Sequence, residues 1–312
     1  MEKEGSKMII SLIDSVIYTT IAATTPIVLP ALGVMFTNFS RMFNIALEGM
    51  MLVSAFSSVL IADITSSLLL GVIAGIVAAT ILGLSIFFIC HYFHAEVFIV
   101  GMGANLVATG LATFISIQLK GSSSLIFENA PKLERINIPI IKNIPILSGL
   151  SGHYIIDYLA IVITVICYVV IFHTRYGYHL RTIGKDAWVA KTLGISIVKH
   201  RFISYLWCGF LCGLGGAVLS LPVGVFLGGP VGMTNGRGWL AIAVLCLGQE
   251  NPLNILVAAL LIGAALALSD LLQVTTNLSP RLLMILPFAA ALIAIVVYMA
   301  KGHKTGLGIK IQ

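Results

Sequence analysis

Long apolar runs separated by short polar segments set the strongest limit on what this chain can fold into. A helix needs about 20 consecutive apolar residues to cross a bilayer, and most of these runs reach that length. Backbone inside lipid must satisfy its own hydrogen bonds, so runs of this kind are expected to be helical. The predicted helices cover residues 13–36, 42–62, 66–90, 95–119, 154–174, 202–223, 237–249, 253–273 and 282–300.

The composition predicts an all-α polytopic membrane protein. Hydrophobic residues make up 59% of the 312 residues and charged residues only 10%, against about 25% in soluble domains. Mean hydropathy is +1.06. We expect a single transmembrane domain over residues 1–312, located in the cell membrane and in contact with lipid. The net charge of +6 comes mainly from two segments, so it indicates topology and not a nucleic-acid partner.

Those two basic segments predict the orientation of the chain. Residues 175–201 carry six Lys and Arg against one acid, Asp186, and three lysines follow residue 300. Short basic loops lie on the cytoplasmic side of membranes. With nine crossings, both segments are cytoplasmic, the N-terminus is outside and the 120–153 loop is external. The count includes the short segment 237–249, which is too short to span a core of about 30 Å and is expected to be a broken helix.

A glycine-rich stretch from Gly224 to Gly238 leads into that short segment. Its glycines and proline oppose a lipid-facing helix, and non-helical backbone at membrane depth has to line a cavity or be buried in protein. A break followed by a half-helix is typical of the substrate path in transporters. Thr234, Asn235 and Arg237 are therefore candidate path residues. The alternative is an outer loop with Arg237 at the water interface.

Polar side chains also interrupt the second and fourth apolar runs. Glu48 lies six residues into the predicted second helix, and Asn44 lies one turn earlier on the same face. A carboxylate presented to lipid costs about 3 kcal/mol, so Glu48 should face the bundle interior or water. Asn105 lies in the middle of the fourth helix, among small residues. We expect each of the three either to pack between helices or to contact a polar solute on the path.

The basic segment contains a short helix with recognisable ends. Asp186 can cap a helix that begins at Ala187, and Gly194 can end it in a left-handed conformation. Trp188 and Leu193 are among its apolar residues. This helix is a candidate docking element for a cytosolic partner. The alternative is a helix that lies on the bilayer surface.

Several catalytic motifs are absent from the sequence. It has no GxxxxGK[ST] phosphate loop, and therefore no ATPase site of its own. Zinc-ligand spacing, a GxSxG elbow and paired intramembrane carboxylates are also missing. We therefore expect a transport protein, and not an enzyme, with no metal site and no bound cofactor.

Five stretches of the chain resemble permease subunits of ABC importers of the ribose and branched-chain amino acid type. The resemblance is closest to the nucleoside and simple-sugar branch. Its most specific parts are NIALEGMML, around Glu48, and MTNGRGWLAIA, around Arg237. The five stretches cover residues 24–56, 100–114, 176–201, 208–221 and 233–273.

The resemblance implies half of a permease dimer that forms the path for nucleosides or simple sugars. An external substrate-binding lipoprotein would deliver the solute, and cytosolic ATPase subunits would use ATP, which this chain does not bind. The segment from Gly184 to Gly194, including Lys191, resembles the coupling loop that docks on the ATPase. Two alternatives stay open: a stand-alone ion-coupled secondary transporter with Glu48 as the coupling carboxylate, and a polytopic membrane enzyme.

Overall fold

The computed structural model describes residues 2–127, 130–136, 148–229, 232–275 and 283–300, and most of these residues are helical. Two small antiparallel sheets pair β1 (Ser124–Ile126) with β4 (Val225–Leu227) and β2 (Arg135–Ile136) with β3 (His153–Tyr154). The helices are α1 (Glu2–Phe39), α2 (Leu47–Thr65), α3 (Leu68–Tyr92), α4 (Val97–Lys120), α5 (Ile155–His173), α6 (Arg175–Lys185), α7 (Ala187–Thr192), α8 (Ile197–Ser220), α9 (Arg237–Gly248), α10 (Pro252–Thr275) and α11 (Ile285–Ala300).

Seven of the described helices are long and apolar enough to cross a membrane: α1 from Asp14 onward, α2, α3, α4, α5, α8 and α10. Helices α9 and α11 are apolar but shorter. The prediction of a helical, multi-pass membrane protein is confirmed, and a short helix follows the glycine-rich stretch as expected. The predicted start of the last helix, at residue 282, lies outside the described residues.

Helix α1 lies at the centre of the bundle. Its residues from Ile27 to Phe36 are buried on every side, and it packs against α8, α9 and α10. Gly33 allows the closest approach, because a Cβ atom there would lie 3.2 Å from the Cα of Cys208. Helices α3 and α4 instead expose many of their large apolar side chains. This contrast is expected when a central helix is surrounded by helices that face lipid.

The connections gather at two ends of the bundle. At the end of α1, the Asn38 side chain donates a hydrogen bond to the Glu250 carboxylate, which lies between α9 and α10. The α6–α7 segment is at this same end. Tyr18, about 30 Å earlier along α1, stacks on His153 of β3. The β2–β3 sheet therefore lies at the opposite end from α6 and α7.

The predicted start of the second helix is wrong. Helix α2 begins at Leu47 and not at residue 42. Arg41 adopts a left-handed conformation with a φ of 53°, and the Asn44 side chain accepts the Ala46 N–H at 3.0 Å. These local features favour a turn over a helix. Asn44 therefore precedes the helix and does not lie one turn before Glu48 on its face.

A helix was also missed in the basic segment. The sequence predicted a loop directly after residue 174, whereas α6 begins at Arg175. Thr174 explains the new start, since its hydroxyl oxygen accepts the Gly177 N–H at 3.2 Å and caps the helix. Gly177 packs against the end of α5, where a Cβ atom would lie 2.2 Å from the carbonyl oxygen of Ile171. The chain can turn this sharply only because residue 177 has no side chain.

Candidate functional site

The glycine-rich stretch meets α2 at the start of the short helix α9. Both oxygens of the Glu48 carboxylate accept backbone N–H groups there, Oε1 from Gly236 at 2.8 Å and Oε2 from Gly238 at 2.7 Å. The first N–H groups of a helix have no partner within the helix, and the helix dipole stabilises an anion at that end. Glu48 therefore caps α9, although it lies 190 residues before Gly238 in the sequence.

Two glycines make this contact sterically possible. Gly236 has a left-handed φ of 78°, a conformation that glycine adopts without strain. At Gly238, a Cβ atom would lie 2.5 Å from the backbone nitrogen of Glu48 and 2.8 Å from its Cα. The backbones of α2 and α9 thus approach each other at a distance that no larger residue permits.

Asn105 of α4 makes a similar contact with the start of α2. Its Oδ1 accepts the Gly49 N–H at 2.7 Å, and its Nδ2 donates to the carbonyl oxygen of Ile45 at 3.1 Å. Gly49 permits the approach, because a Cβ atom there would lie 3.0 Å from the Cα of Asn105. The Asn105 amide therefore joins α4 to the N-terminus of α2, and Glu48, one residue before Gly49, joins that terminus to α9.

Asn44 lies behind this junction and is fully buried. Its backbone N–H donates to the Thr37 hydroxyl at 3.3 Å. The side-chain Nδ2 lies 3.1 Å from the Met50 sulfur and 3.4 Å from the Cys208 sulfur. Since its amide oxygen accepts the Ala46 N–H, the polar atoms of Asn44 are used to hold the α1–α2 connection against α2 and α8.

The predicted polar residues of the glycine-rich stretch form a turn just before α9. Thr234 is buried, and its carbonyl oxygen accepts the Arg237 N–H at 2.9 Å. Asn235 is exposed and left-handed, with a φ of 44°. The guanidinium of Arg237 folds back and donates to the carbonyl oxygen of Met233 at 3.2 Å. Thr234, Asn235 and Arg237 are thus brought together next to the Glu48 cap.

The Arg237 guanidinium is attracted by two acids, Asp270 on α10 and Glu48. In the part of the chain that the structure describes, neither acid forms an ion pair with it. Its Nε is buried there without a hydrogen-bond partner. An unpaired buried donor is costly in a low-dielectric setting, so this Nε marks Arg237 as a candidate functional residue. The sequence did not associate Asp270 with this site, because no spacing rule relates residues of α10 and α9.

Helix α7 has the ends that the sequence predicted. Asp186 precedes the first helical residue, Ala187, and its Oδ1 accepts the N–H of Trp188 at 2.8 Å and that of the next residue at 3.3 Å. After the helix, Gly194 has a φ of 75° and donates its N–H to the carbonyl oxygen of Lys191 at 3.1 Å. This short element is defined by its own residues.

The exposed surface of α7 includes large apolar side chains. Trp188 is 73% exposed and Leu193 is 67% exposed, and Lys191 beside them is also exposed. The helix lies outside the seven candidate spans. Exposed apolar groups of this size indicate contact with a partner protein or with the bilayer surface.

The end of α6, directly before α7, is attached to the α1–α2 turn. Arg41 donates from Nε to the carbonyl oxygen of Gly184 at 3.1 Å and from Nη2 to that of Lys185 at 2.7 Å. Gly184 packs closely, since a Cβ atom there would lie 2.9 Å from the carbonyl oxygen of Phe39. Arg41 therefore makes α6, α7 and the α1–α2 turn a connected unit. Sequence reasoning missed this residue because a single Arg at a helix end is typical of any membrane interface.

A cleft of about 680 Å³ opens beside this unit, lined by residues that include Arg41, Arg181, Lys185 and Glu250. Burial raises the pKa of the Glu250 carboxyl, and the hydrogen bond from Asn38 partly offsets that shift. The cleft therefore combines three cations with an acid that is easier to protonate than usual.

Among the described residues, no cluster of three or more His, Cys, Asp or Glu could hold a metal ion.

Known proteins match this chain along most of its length. Residues 16–302 match the family described as branched-chain amino acid transport system / permease component. The guanosine ABC transporter permease NupQ of Bacillus subtilis is 28% identical and is covered over 94% of each chain. The nucleoside ABC transporter permease NupC of Lactococcus lactis is 26% identical over 82% of each chain. A Haloferax volcanii permease named for glucose transport is 29% identical over 83% of this chain and 76% of its own.

One solved structure shares the fold. It is an ABC transporter of metal-chelate type in an inward-facing conformation, with a TM-score of 0.50 and 17% identity over 91% of this chain and 85% of the other. The family match and the seven apolar helices agree with the resemblance seen in the sequence. This chain therefore belongs to the permease components of branched-chain amino acid type transport systems, and it is a multi-pass transport subunit of an ABC transporter and not an enzyme.

Proposed function

We propose that this permease subunit imports nucleosides or simple sugars. The relatives named for guanosine, nucleoside and glucose transport support that solute class. Nucleosides and sugars are rich in hydroxyl groups and carry no net charge, so they need a few well-placed donors and acceptors more than a strong field. The junction of α2 and α9 offers the exposed amide of Asn235 and the guanidinium of Arg237.

The observation that carries the proposed path is the cap of α9 by Glu48. Helix α9 has twelve residues and is about 18 Å long. Because α9 ends at the bundle surface near Glu250, a helix of this length begins within the thickness of the bilayer. The non-helical residues that precede it are then at membrane depth, where such backbone is found buried in protein or lining a water-filled cavity. A half-helix of this kind is where transporters bind their solutes.

The path residues take two roles in this proposal. Thr234 and Asn235 in the turn before α9, and Arg237 as its first residue, contact the solute in this proposal. Glu48 and Asn105 hold the starts of α9 and α2 in place, and buried Asn44 supports them from behind. A shift of α2 would then move the solute-facing turn, because Glu48 connects the two directly.

Separate cytosolic ATPase subunits supply the energy in this proposal. Helix α7 docks on them through Trp188 and Leu193, with Lys191 beside them and with its ends set by Asp186, Ala187 and Gly194. The hydrogen bonds from Arg41 to Gly184 and Lys185 transmit the position of α7 to the α1–α2 turn. That turn leads directly into α2, and Glu48 near the start of α2 contacts α9.

The proposed assembly and topology follow the distribution of charge and loops. One transmembrane domain over residues 1–312 crosses the membrane nine times, with the N-terminus and the 120–153 loop outside. The 175–201 segment and the C-terminus are cytoplasmic, as the positive charge favours. A second permease subunit completes the transmembrane dimer, and an external lipoprotein delivers the solute. ATP is bound by the ATPase subunits, and this chain holds no cofactor.

A cysteine at the solute-facing turn tests the path. All five native cysteines are buried, so an impermeant thiol reagent should leave them unmodified. We expect Asn235→Cys in the assembled transporter to react with that reagent from outside. Solute-loaded binding protein should change the rate by at least about threefold, because the path opens and closes around the turn. The control is Thr65→Cys, an exposed position at the end of α2, which should react at a constant rate. Equal, constant rates at both positions would contradict the path.

A further inference from the structure

A second cavity lies at the α7 end of the bundle, beside the connection between α3 and α4. Its volume is about 340 Å³. Half of its lining residues carry or can acquire positive charge, namely Arg41, His91, His94 and Arg201. The remainder are apolar or small: Met42, Cys90, Ala95 and Val97. Nothing so far proposed for the solute path or for α7 uses this cavity.

The charge balance of the cavity favours an anion. In the described part of the chain no acid lines it, although the exposed Glu96 follows Ala95 in the same turn. Arg201 donates through Nε to the carbonyl oxygen of Ser40 at 3.1 Å. Its terminal nitrogens make no hydrogen bond within the described residues. Arg41 likewise uses Nε and Nη2 for α6, so both guanidinium groups keep donors for a ligand.

The start of α4 adds further donors at the edge of the cavity. Glu96 precedes this helix, but its side chain makes no capping hydrogen bond. The backbone N–H groups of the first turn, which begins at the cavity-lining Val97, are therefore not capped by that residue. Such groups stabilise phosphate and other anions. Together with the two guanidinium groups, they surround the cavity with donors from three separate elements.

The surroundings of the cavity indicate which anion it binds. Tyr92 is 68% exposed and Phe93 is 80% exposed, and both lie at the end of α3. Phe98 and Ile99, at the start of α4, are exposed as well. Aromatic and aliphatic side chains at the end of lipid-facing helices mark the interface between hydrocarbon and headgroups. A basic cavity at that depth is positioned for a ligand with both an anionic group and apolar chains.

We infer that this cavity binds the phosphate group of an anionic phospholipid, with the acyl chains lying along α3 and α4. Basic pockets between membrane helices bind lipid phosphates through the same chemistry. The lipid comes from the cytoplasmic leaflet, and this detail rests on the proposed orientation. Arg41 lines this cavity and also holds the end of α6, directly before α7. Bound lipid therefore contacts the same side chain that connects α7 to the α1–α2 turn.

The test measures lipid preference with the full-length chain in nanodiscs of phosphatidylcholine, using spin-labelled phosphatidylglycerol and spin-labelled phosphatidylcholine as probes. Both leaflets are accessible in a nanodisc, so the result does not depend on the proposed orientation or on transport. We expect the native chain to prefer phosphatidylglycerol, and Arg201→Gln to lower that preference about fivefold, the effect of one juxtamembrane charge. His94→Glu should lower it at least as much, and it alters an exposed residue outside the core.

Lys199→Glu is the matched control, since Lys199 is exposed on α8 only two residues before Arg201 but does not line the cavity. Because Lys199 lies outside the cavity, this variant should lower the preference by much less than the fivefold loss expected for Arg201→Gln. Four results would overturn the inference. One is that the native chain and all variants prefer phosphatidylglycerol equally. Another is that the control loses as much of this preference as Arg201→Gln does. The third is displacement of the labelled lipid by millimolar inorganic phosphate, which would assign the cavity to a soluble anion. Loss of ATPase association in His94→Glu with an unchanged lipid preference would instead assign the cavity to an acidic group of the ATPase.

Discussion

The two short helices α7 and α9 begin in the same way but are held by very different parts of the chain. In both, one carboxylate accepts two backbone N–H groups at the start of the helix. The carboxylate of α7 belongs to Asp186, the residue directly before the helix. The carboxylate of α9 belongs to Glu48, which lies on α2. One cap is local, and the other joins two helices that are distant in sequence.

This difference determines what each helix can do. A local cap lets α7 keep its shape while it moves as a unit, as a docking element requires. The remote cap makes the start of α9 follow any movement of α2, and Gly238 leaves no space between them. The two helices are also connected, because Arg41 attaches α7 to the turn that leads into α2. In the proposed function, α7 would therefore sense the partner, and α9 would change the path.

The largest expected effect is from removing the remote cap. Glu48→Ala leaves two partly buried N–H groups of α9 without an acceptor, at a cost of about 3 kcal/mol in the free energy of unfolding. We expect solute uptake to fall at least tenfold, measured in cells at equal membrane expression. Glu48→Gln retains one acceptor oxygen and should give an intermediate loss of both stability and uptake.

Glu96→Gln is the control for the Glu48 variants. Glu96 lies directly before the membrane helix α4, but its side chain makes no capping hydrogen bond. Uptake and melting temperature should therefore stay close to those of the native chain. Native uptake by both Glu48 variants would show that the contact with α9 is a tolerated packing detail, and the comparison of the two caps would lose its functional meaning.

A smaller effect is expected from pushing the two backbones apart while keeping the cap. In Gly238→Ala the added methyl group would lie 2.5 Å from the Glu48 nitrogen. Relief of such a contact costs about 1–3 kcal/mol. Uptake should fall about fivefold and thermal unfolding should occur at a lower temperature. Gly103→Ala on α4 is the matched control, because nothing lies within 4 Å of its added Cβ, and better helix propensity should leave stability unchanged or raise it. Equal stability of the two variants would contradict the close α2–α9 contact.

The same contrast explains how much of the structure could be predicted from the sequence. The helices that are long enough to cross the membrane are long apolar runs, so their existence could be predicted directly from the sequence. The ends of α7 were also predictable, since Asp186 and Gly194 act on residues a few positions away. Helix α6 was missed because its cap, Thr174, follows an apolar run without a break in the sequence pattern.

The contacts between distant segments could not be predicted. The sequence placed Glu48 inside the bundle and required a polar partner for it, but its partners are backbone N–H groups, which every residue but proline possesses. No residue type therefore identified α9 as the partner of Glu48. The same holds for Arg41, whose acceptors are two carbonyl oxygens of α6. Asn44 was misplaced because its side chain bonds the backbone two residues on and delays the start of α2.

The smallest expected effect is from removing the local cap. Asp186→Ala costs about 1 kcal/mol, and the loss is confined to α7 because the cap touches no other element. The melting temperature of the bundle should stay the same, while ATPase association should weaken about fivefold, as 1 kcal/mol predicts. Co-purification of the ATPase at several concentrations measures this. Trp188→Asp keeps the cap and removes the exposed apolar surface, so it should abolish association without altering melting. A drop in the melting temperature for Asp186→Ala as large as that for Glu48→Ala would show that α7 is not an independent element.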